Sequence, residues 1–256
     1  MTGTLDVERL ERAIKNIYRN VAAEPDESYH FEMGRSLAEQ LGYAVDDLEH
    51  VPDESLDSFA GVGYHFDLAA LEAGDSVLDL GSGSGTDVFV AARQVGDTGR
   101  VIGIDMTAEQ LEKSRRLRDH AGIDNVSFEA GYIEELPFAD GTFDVVISNG
   151  VINLSPEKEQ VFAEANRVLV PGGRLAISDI SSEREIPTSI KTDSDLWAAC
   201  IGGAEQIDAY RSIIEGAGFD VTEIRDNPQY VFISEQAANA CQKYGIKSVS
   251  IAALSD

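Results

Sequence analysis

The string Val77-Leu78-Asp79-Leu80-Gly81-Ser82-Gly83-Ser84-Gly85 sets three alternate glycines directly after a short apolar run that carries one acid. Glycines permit positive φ and let a ligand approach the backbone closely. A cluster of them between a strand and a helix is where open α/β sheets bind ligands. The spacing is Gly-x-Gly-x-Gly, which differs from the dinucleotide fingerprint, and no Gly-Lys-Ser/Thr follows to make a phosphate loop. Taken alone, the cluster is equally consistent with a tight turn that binds nothing. Asp105 adds chemistry. It closes the next apolar run, Arg100–Ile104, and an acid at that position accepts hydrogen bonds from both hydroxyls of a ribose. Met106 then lies against a purine ring. The plainer alternative for Asp105 is a helix N-cap, a role compatible with the first, although Thr107 makes the better cap.

These residues need a parallel sheet to hold them. Strands are predicted at 76–80, 100–104, 126–128, 143–148 and 174–178, and helices at 87–94, 107–120 and 156–169. Thr107 with Gln110 reads as a capping box. Strands alternating with helices of this length imply a doubly wound α/β sheet covered on both faces. Toward the C-terminus, helices are expected at 196–204, 207–216 and 234–244, and strands at 219–225 and 247–254. At the N-terminus, Leu10, Ile14, Ile17 and Val21 mark an amphipathic helix over 5–23. A second helix is predicted over 29–41 and a helical turn over 45–49, with 53–64 as a loop. The expected organisation is a helical cap over 1–65 and one α/β domain over 66–256, with the ligand half at 70–180 and the remainder at 181–256.

Three further strings follow in order: Gly131-Tyr132-Ile133-Glu134-Glu135-Leu136-Pro137, Phe143-Asp144-Val145-Val146-Ile147-Ser148-Asn149, and Arg167-Val168-Leu169-Val170-Pro171-Gly172-Gly173. With the glycine cluster and Asp105, this ordered set resembles the class I S-adenosylmethionine-dependent methyltransferases over residues 70–180. The resemblance implies a Rossmann-like, seven-stranded, mostly parallel sheet whose last strand is antiparallel. It implies S-adenosylmethionine as cofactor and S-adenosylhomocysteine as product. Carried over by position, Asp79, Gly81, Ser82 and Gly83 surround the methionine moiety, Asp105 holds the ribose and Met106 flanks the adenine. Ile133 and Glu134 lie along the adenine edge. Many relatives carry Asp where this chain has Tyr132, which passes recognition of the adenine amino group to Glu134. Asn149 faces the sulfonium region. Such a site must align an electrophilic methyl with its acceptor and exclude water.

A narrower likeness is carried by Asn149-Gly150-Val151-Ile152-Asn153-Leu154-Ser155-Pro156, by Leu41-Gly42-Tyr43 and by Trp197-Ala198-Ala199-Cys200-Ile201-Gly202-Gly203. These strings resemble segments of arsenite methyltransferases. That group binds trivalent arsenic through three cysteine thiolates, the soft ligands such a centre demands. Here Gly150 stands at one of those positions, and Gly61-Val62-Gly63 stands where relatives have Gly-Cys-Gly. Cys200 remains, and Cys241 matches no position of the group. The expected activity is therefore methyl transfer to a small molecule other than arsenite, with neutral or apolar acceptors favoured. One alternative is metalloid methylation by Cys200 with thiols supplied by the substrate, and another is a cofactor-binding protein without transfer. Candidate catalytic residues are Asn149, Asn153, which is also placed to cap the next helix, Tyr18, whose helix folds over the cofactor in this group, and Cys200. For Tyr18 the alternative is a packed aromatic, and for Cys200 a small apolar residue in a helix. Trp197 reads as a pocket wall or a buried aromatic. His65 is either an acceptor-side base or a linker residue.

Composition narrows the partners. Of 256 residues, 46 are acidic and 20 basic, a net charge of −26, and only six of the bases are lysine. A field this negative repels nucleic acid and anionic membranes and suits a surface screened by high salt. No apolar run is long enough to span a bilayer, and the N-terminus lacks the pattern of a secretory signal. Two cysteines and four scattered histidines give no metal-ligand spacing. The reading is a cytoplasmic monomer or homodimer that takes a small-molecule acceptor and holds no metal.

Overall fold

The computed structural model describes residues 5–193, 197, 201–233 and 235–256. Five helices precede the sheet: α1 (Val7–Ala23), α2 (Arg35–Leu41), α3 (Val45–Leu48), α4 (Asp53–Asp57) and α5 (Phe66–Ala69). The repeating part runs β1 (Ser76–Leu80), α6 (Thr86–Val95), β2 (Arg100–Asp105), α7 (Ala108–Ala121), β3 (Val126–Ala130), β4 (Phe143–Asn149), α8 (Lys158–Val168) and β5 (Leu169–Ser182). The chain continues through α9 (Thr188–Lys191), β6 (Glu205–Gln206), α10 (Ile207–Gly216), β7 (Phe219–Asp226), α11 (Glu235–Tyr244) and β8 (Ile246–Ser255).

The strands lie in the order β3-β2-β1-β4-β5-β8-β7, with the two-residue β6 paired to the end of β5. β1 to β5 are parallel, and β8 runs antiparallel to both β5 and β7. This is the doubly wound sheet expected from the sequence, with β6 as an added strand. β1 sits where the winding reverses, between β2 and β4, and that crevice is the ligand position of such sheets. Register brings the chemistry to one edge. Leu80 pairs with Ile104 and with Ser148, so Gly81, Asp105 and Asn149 emerge side by side.

Alternation along the strands divides the core. Val77, Val101, Val145 and Ile147 pack with α6 and with residues of α2, α4 and α5. Leu78, Leu80, Ile104 and Val146 pack with α8 and α10. Residues 37–66 thus share a core with β1, and burial against the sheet, rather than length, holds these short helices in place. A third apolar cluster joins Leu10 and Ile14 of α1 to Val62, Leu154, Trp197 and Ile246. Among the described helices none is long and apolar enough to cross a membrane.

Local departures from expectation have physical causes. The helix predicted from residue 29 begins at Arg35, because Gly34 at φ 91° sets its N-terminus. The stretch 53–64 contains α4, started by Pro52 with Asp53 and Glu54 in its first turn. Of the helix predicted at 196–204, residues 196 and 198–200, Cys200 among them, lie outside the described residues; Trp197 is helical, and 201–204 form a turn instead of continuing the helix. No capping box forms on α7. Thr107 makes no side-chain cap there; its own N–H is taken by Asp105 (2.7 Å), and the Gln110 side chain that would reach it is engaged with Ser84 (2.5 Å) and the Tyr18 carbonyl (2.9 Å).

The turn from β1 into α6 depends on Gly85, at φ 95°, where a Cβ would lie 2.7 Å from the Phe128 ring. Gly85→Ala is expected to lower unfolding stability by about 2 kcal/mol, from left-handed backbone strain and overpacking together. A shifted urea midpoint with an unchanged slope checks this.

Candidate active site

A cavity of about 400 Å³ opens at the carboxyl ends of β1, β2 and β4, within the usual range for small-molecule sites. Its floor is the glycine turn. Gly81 adopts φ 71°, and a Cβ there would come 2.5 Å from the Val151 methyls. The Gly83 N–H donates to Asp105 Oδ2 at 2.9 Å, and the Thr107 N–H donates to Oδ1 at 2.7 Å. The Asp105 carboxylate is thereby fixed in orientation while lining the cavity. Burial pushes its pKa up, against the pull of these backbone donors. Asp79 is 2% exposed and lines the cavity, and no described residue donates a hydrogen bond to its carboxylate. Burial, then the charges of Asp87 and Asp105, hold it well above the usual carboxylate range. A buried carboxyl without a partner calls for a cationic ligand group.

The far wall is held by Asn149. Its Oδ1 accepts from the backbone N–H of Val62 (2.8 Å) and Gly63 (3.3 Å). Its Nδ2 lies 3.0 Å from the Tyr43 hydroxyl and 3.1 Å from both Asp87 Oδ2 and the Gly63 carbonyl. Tyr43 in turn donates to Asp87 Oδ1 at 2.6 Å, and burial followed by that carboxylate keeps its hydroxyl protonated well above the ordinary range. The amide predicted to serve the reacting centre is thus engaged with protein groups at both ends, although Asn149 does line the cavity.

Helix α1 forms the roof, through Val7, Leu10, Glu11, Ile14 and Tyr18. It is fastened to α7 by Arg19 to Glu109 (2.8 Å) and by Lys113 to the Ala22 carbonyl (3.1 Å). Lys15 bonds Glu11 (2.6 Å) and the Tyr132 hydroxyl (2.9 Å), joining the roof to the loop after β3. That loop supplies Ile133 and Glu134 to the cavity, and Ser155 Oγ donates to Glu134.

Of the residues expected in the site, Asp79, Gly81, Ser82, Gly83, Asp105, Met106, Ile133, Glu134, Asn149 and Tyr18 all line this one cavity. Asn153 does not. It is fully buried on a 3-10 turn behind the wall, because its neighbours Val151 and Leu154 take the facing positions. Trp197 also lies behind, with its indole N–H on the Leu154 carbonyl at 3.1 Å. His65 is fully buried against Phe66, outside the cavity, and burial lowers its pKa. The described free cysteine, Cys241, lies on α11 in the third apolar cluster. Among the described residues lining the cavity there is no Cys, His, Lys or Arg. Sequence reasoning missed Tyr43, Asp87 and Phe59. Tyr43 carried a signal, since it sits in one of the strings that resemble a known group.

The wall turn also rests on a buried cation. Lys158 is 4% exposed, donates to the Ser155 carbonyl at 2.7 Å and lies 5.1 Å from the Trp197 ring centre. Burial lowers its pKa from 10.5 to about 8. Its folded pKa is below the unfolded one, so stability rises between about pH 8 and 10.5 and is lost as pH falls through the folded value. Lys158→Met is expected to abolish that rise, a difference of about 2–3 kcal/mol across the window, seen by comparing denaturant midpoints of the two proteins at each pH.

The cavity matches S-adenosylmethionine in its donor set: a carboxylate fixed for a ribose diol, an unpartnered acid for a cationic moiety, and a glycine floor open to the backbone. Comparison with known proteins agrees. The Methyltransferase domain family matches residues 71–218. The arsenite methyltransferase of Halobacterium salinarum is 43% identical over 209 residues, covering 81% of this chain and 53% of that protein. The human arsenite methyltransferase is 46% identical over 137 residues, or 50% of this chain and 36% of that protein. The chain thus spans about half the length, or less, of these curated relatives. The crystal structure of an arsenic (III) S-adenosylmethionine methyltransferase from Chlamydomonas reinhardtii superimposes with TM-score 0.63 at 31% identity, covering 87% of this chain and 74% of that one. A geranyl diphosphate C-methyltransferase from Streptomyces coelicolor, at 17% identity and TM-score 0.68, shares the fold. With the ordered motifs, the strand order and the cavity in agreement, the chain belongs to the methyltransferase-domain family, in its S-adenosylmethionine-dependent class.

Proposed function

We propose that this chain transfers the methyl group of S-adenosylmethionine to a small-molecule acceptor that it does not hold through thiolates. The observation that carries this reading is the cavity itself, where an acidic floor faces an apolar roof and the described lining contains no sulfur nucleophile. When bound, the cofactor supplies an electrophilic methyl on a sulfonium. Asp105 holds the ribose, Asp79 and the glycine turn meet the methionine end, and Ile133 and Met106 enclose the adenine. Glu134 receives the adenine amino group, steadied by Ser155. Tyr43, Asp87 and Asn149 position the wall formed by residues 59–63. Helix α1 excludes water over the reacting centre, with Tyr18 on its inner face.

Calorimetric titration tests the first half. S-adenosylmethionine and S-adenosylhomocysteine are expected to bind the wild type, and Asp105→Ala to weaken both by about a hundredfold, the loss of two hydrogen bonds to a charged group. No binding by folded protein, at low or at molar potassium chloride, would overturn the reading.

A second reading is favoured by the names of the relatives. Cys200, with thiols carried in by the substrate, would complete a three-sulfur site for trivalent arsenic. Transfer of radiolabelled methyl to arsenite in the presence of glutathione decides between them. The first reading expects no arsenic product, whereas product that is lost in Cys200→Ser would establish the second.

A further inference from the structure

Resting on the methyltransferase reading, we infer that the acceptor is largely apolar and carries no negative charge, and that it docks beneath α1 against Leu10, Ile14 and Leu154 in a cavity that rejects anions.

The cavity has two chemistries. Leu10, Ile14 and Leu154 line it and at the same time belong to the third apolar cluster. Together they give the cavity an aliphatic patch beneath α1, backed by Val62 and Trp197. Neither core cluster of the sheet shares this composition of α1 and wall residues. Burying an apolar acceptor there gains about 25 cal/mol per Å² removed from water.

Charge is distributed against an anion. Glu11, Asp79, Asp87, Asp105, Glu134 and Glu157 all line the cavity, and no described lining residue is cationic. Three cations of α1 have acidic partners: Arg12 with Glu8, Lys15 with Glu11 and Arg19 with Glu109. A phosphate or carboxylate entering here is desolvated with no counterion, an unfavourable transfer, and approaches through a field of net charge −26. An uncharged apolar molecule avoids that cost.

The test uses the full chain saturated with S-adenosylhomocysteine. N-phenyl-1-naphthylamine, uncharged at neutral pH, reports the apolar surface by fluorescence. Three isosteric competitors then differ in charge: 1-naphthalenemethanol, 1-naphthoate and 1-naphthylmethylammonium. The alcohol is expected to displace the probe at about tenfold lower concentration than naphthoate, with the ammonium falling nearer the alcohol. Leu10→Asn is expected to weaken probe and alcohol by about tenfold through lost apolar burial. Because that change also touches the packing of α1, Glu157→Lys at the exposed rim is the second variant. It should favour naphthoate relative to the alcohol by about threefold. Equal competition by the alcohol and naphthoate overturns the inference. So does failure of the probe to bind protein that calorimetry shows to hold S-adenosylhomocysteine. Failure to bind S-adenosylhomocysteine at all instead overturns the methyltransferase reading on which the inference rests.

Discussion

The site depends on one side-chain amide. Asn149 ends β4, and its carboxamide ties that strand to the backbone of Val62 and Gly63, to Tyr43 and, through Asp87, to the first turn of α6. Four segments distant in sequence therefore meet on one planar group with a fixed orientation. A buried polar network of this kind is costly when half-satisfied and rigid when complete. Here every Asn149 polar atom has a partner, and the Tyr43 hydroxyl both donates and accepts. The consequence is a cavity wall set by hydrogen bonds rather than by packing, beside a floor set by glycine backbone and Asp105. The reacting centre lies between two surfaces that cannot shift independently.

Electrostatics of the whole chain bear on why the described lining of that cavity contains no cation. With 20 bases among 46 acids, most basic side chains are placed where they fix one segment to another. Arg174 meets Asp75, Arg225 meets Asp67, and Arg167 meets Glu164 and Asp140. Each exposed pair contributes little energy alone, yet each removes a cation from circulation. Lys158 is the deepest case, held beneath the wall turn between the charges of Glu205 and Asp179. Of the cavity carboxyls, Asp87, Asp105 and Glu134 are bonded to neutral donors and not to a cation. A chain of this composition takes its positive charge from the cofactor.

Local chemistry was legible in the sequence and long-range chemistry was not. The glycine turn, Asp79 and Asp105 lie at strand ends whose pattern is written in neighbouring residues, and the structure gathers them as expected. The loop at Ile133 and Glu134 followed from order along the chain. Tyr43 was out of reach by spacing, since its bond to Asn149 spans 106 positions and nothing in periodicity marks it as polar-partnered. Asn153 illustrates the opposite error. Its neighbours in the string are cavity residues, but a 3-10 turn rotates consecutive side chains by about a third of a circle, which carries Asn153 behind the wall. Thr107 and Gln110 formed a sound local capping pattern, overridden because Asp105 takes the Thr107 N–H while Ser84 and the Tyr18 carbonyl engage the Gln110 amide.

The two positions without sulfur also make sense together. Gly150 stands at φ 73°, and a Cβ there would come 3.1 Å from Val62 Cγ1. Positions 150 and 62 therefore face one another, one reduced to a hydrogen and the other a buried, branched aliphatic. A side chain at 150 would strain the backbone and crowd Val62. Val62 belongs to the same apolar cluster as Leu10, Ile14 and Leu154, so the glycine lets the strand end close against that cluster.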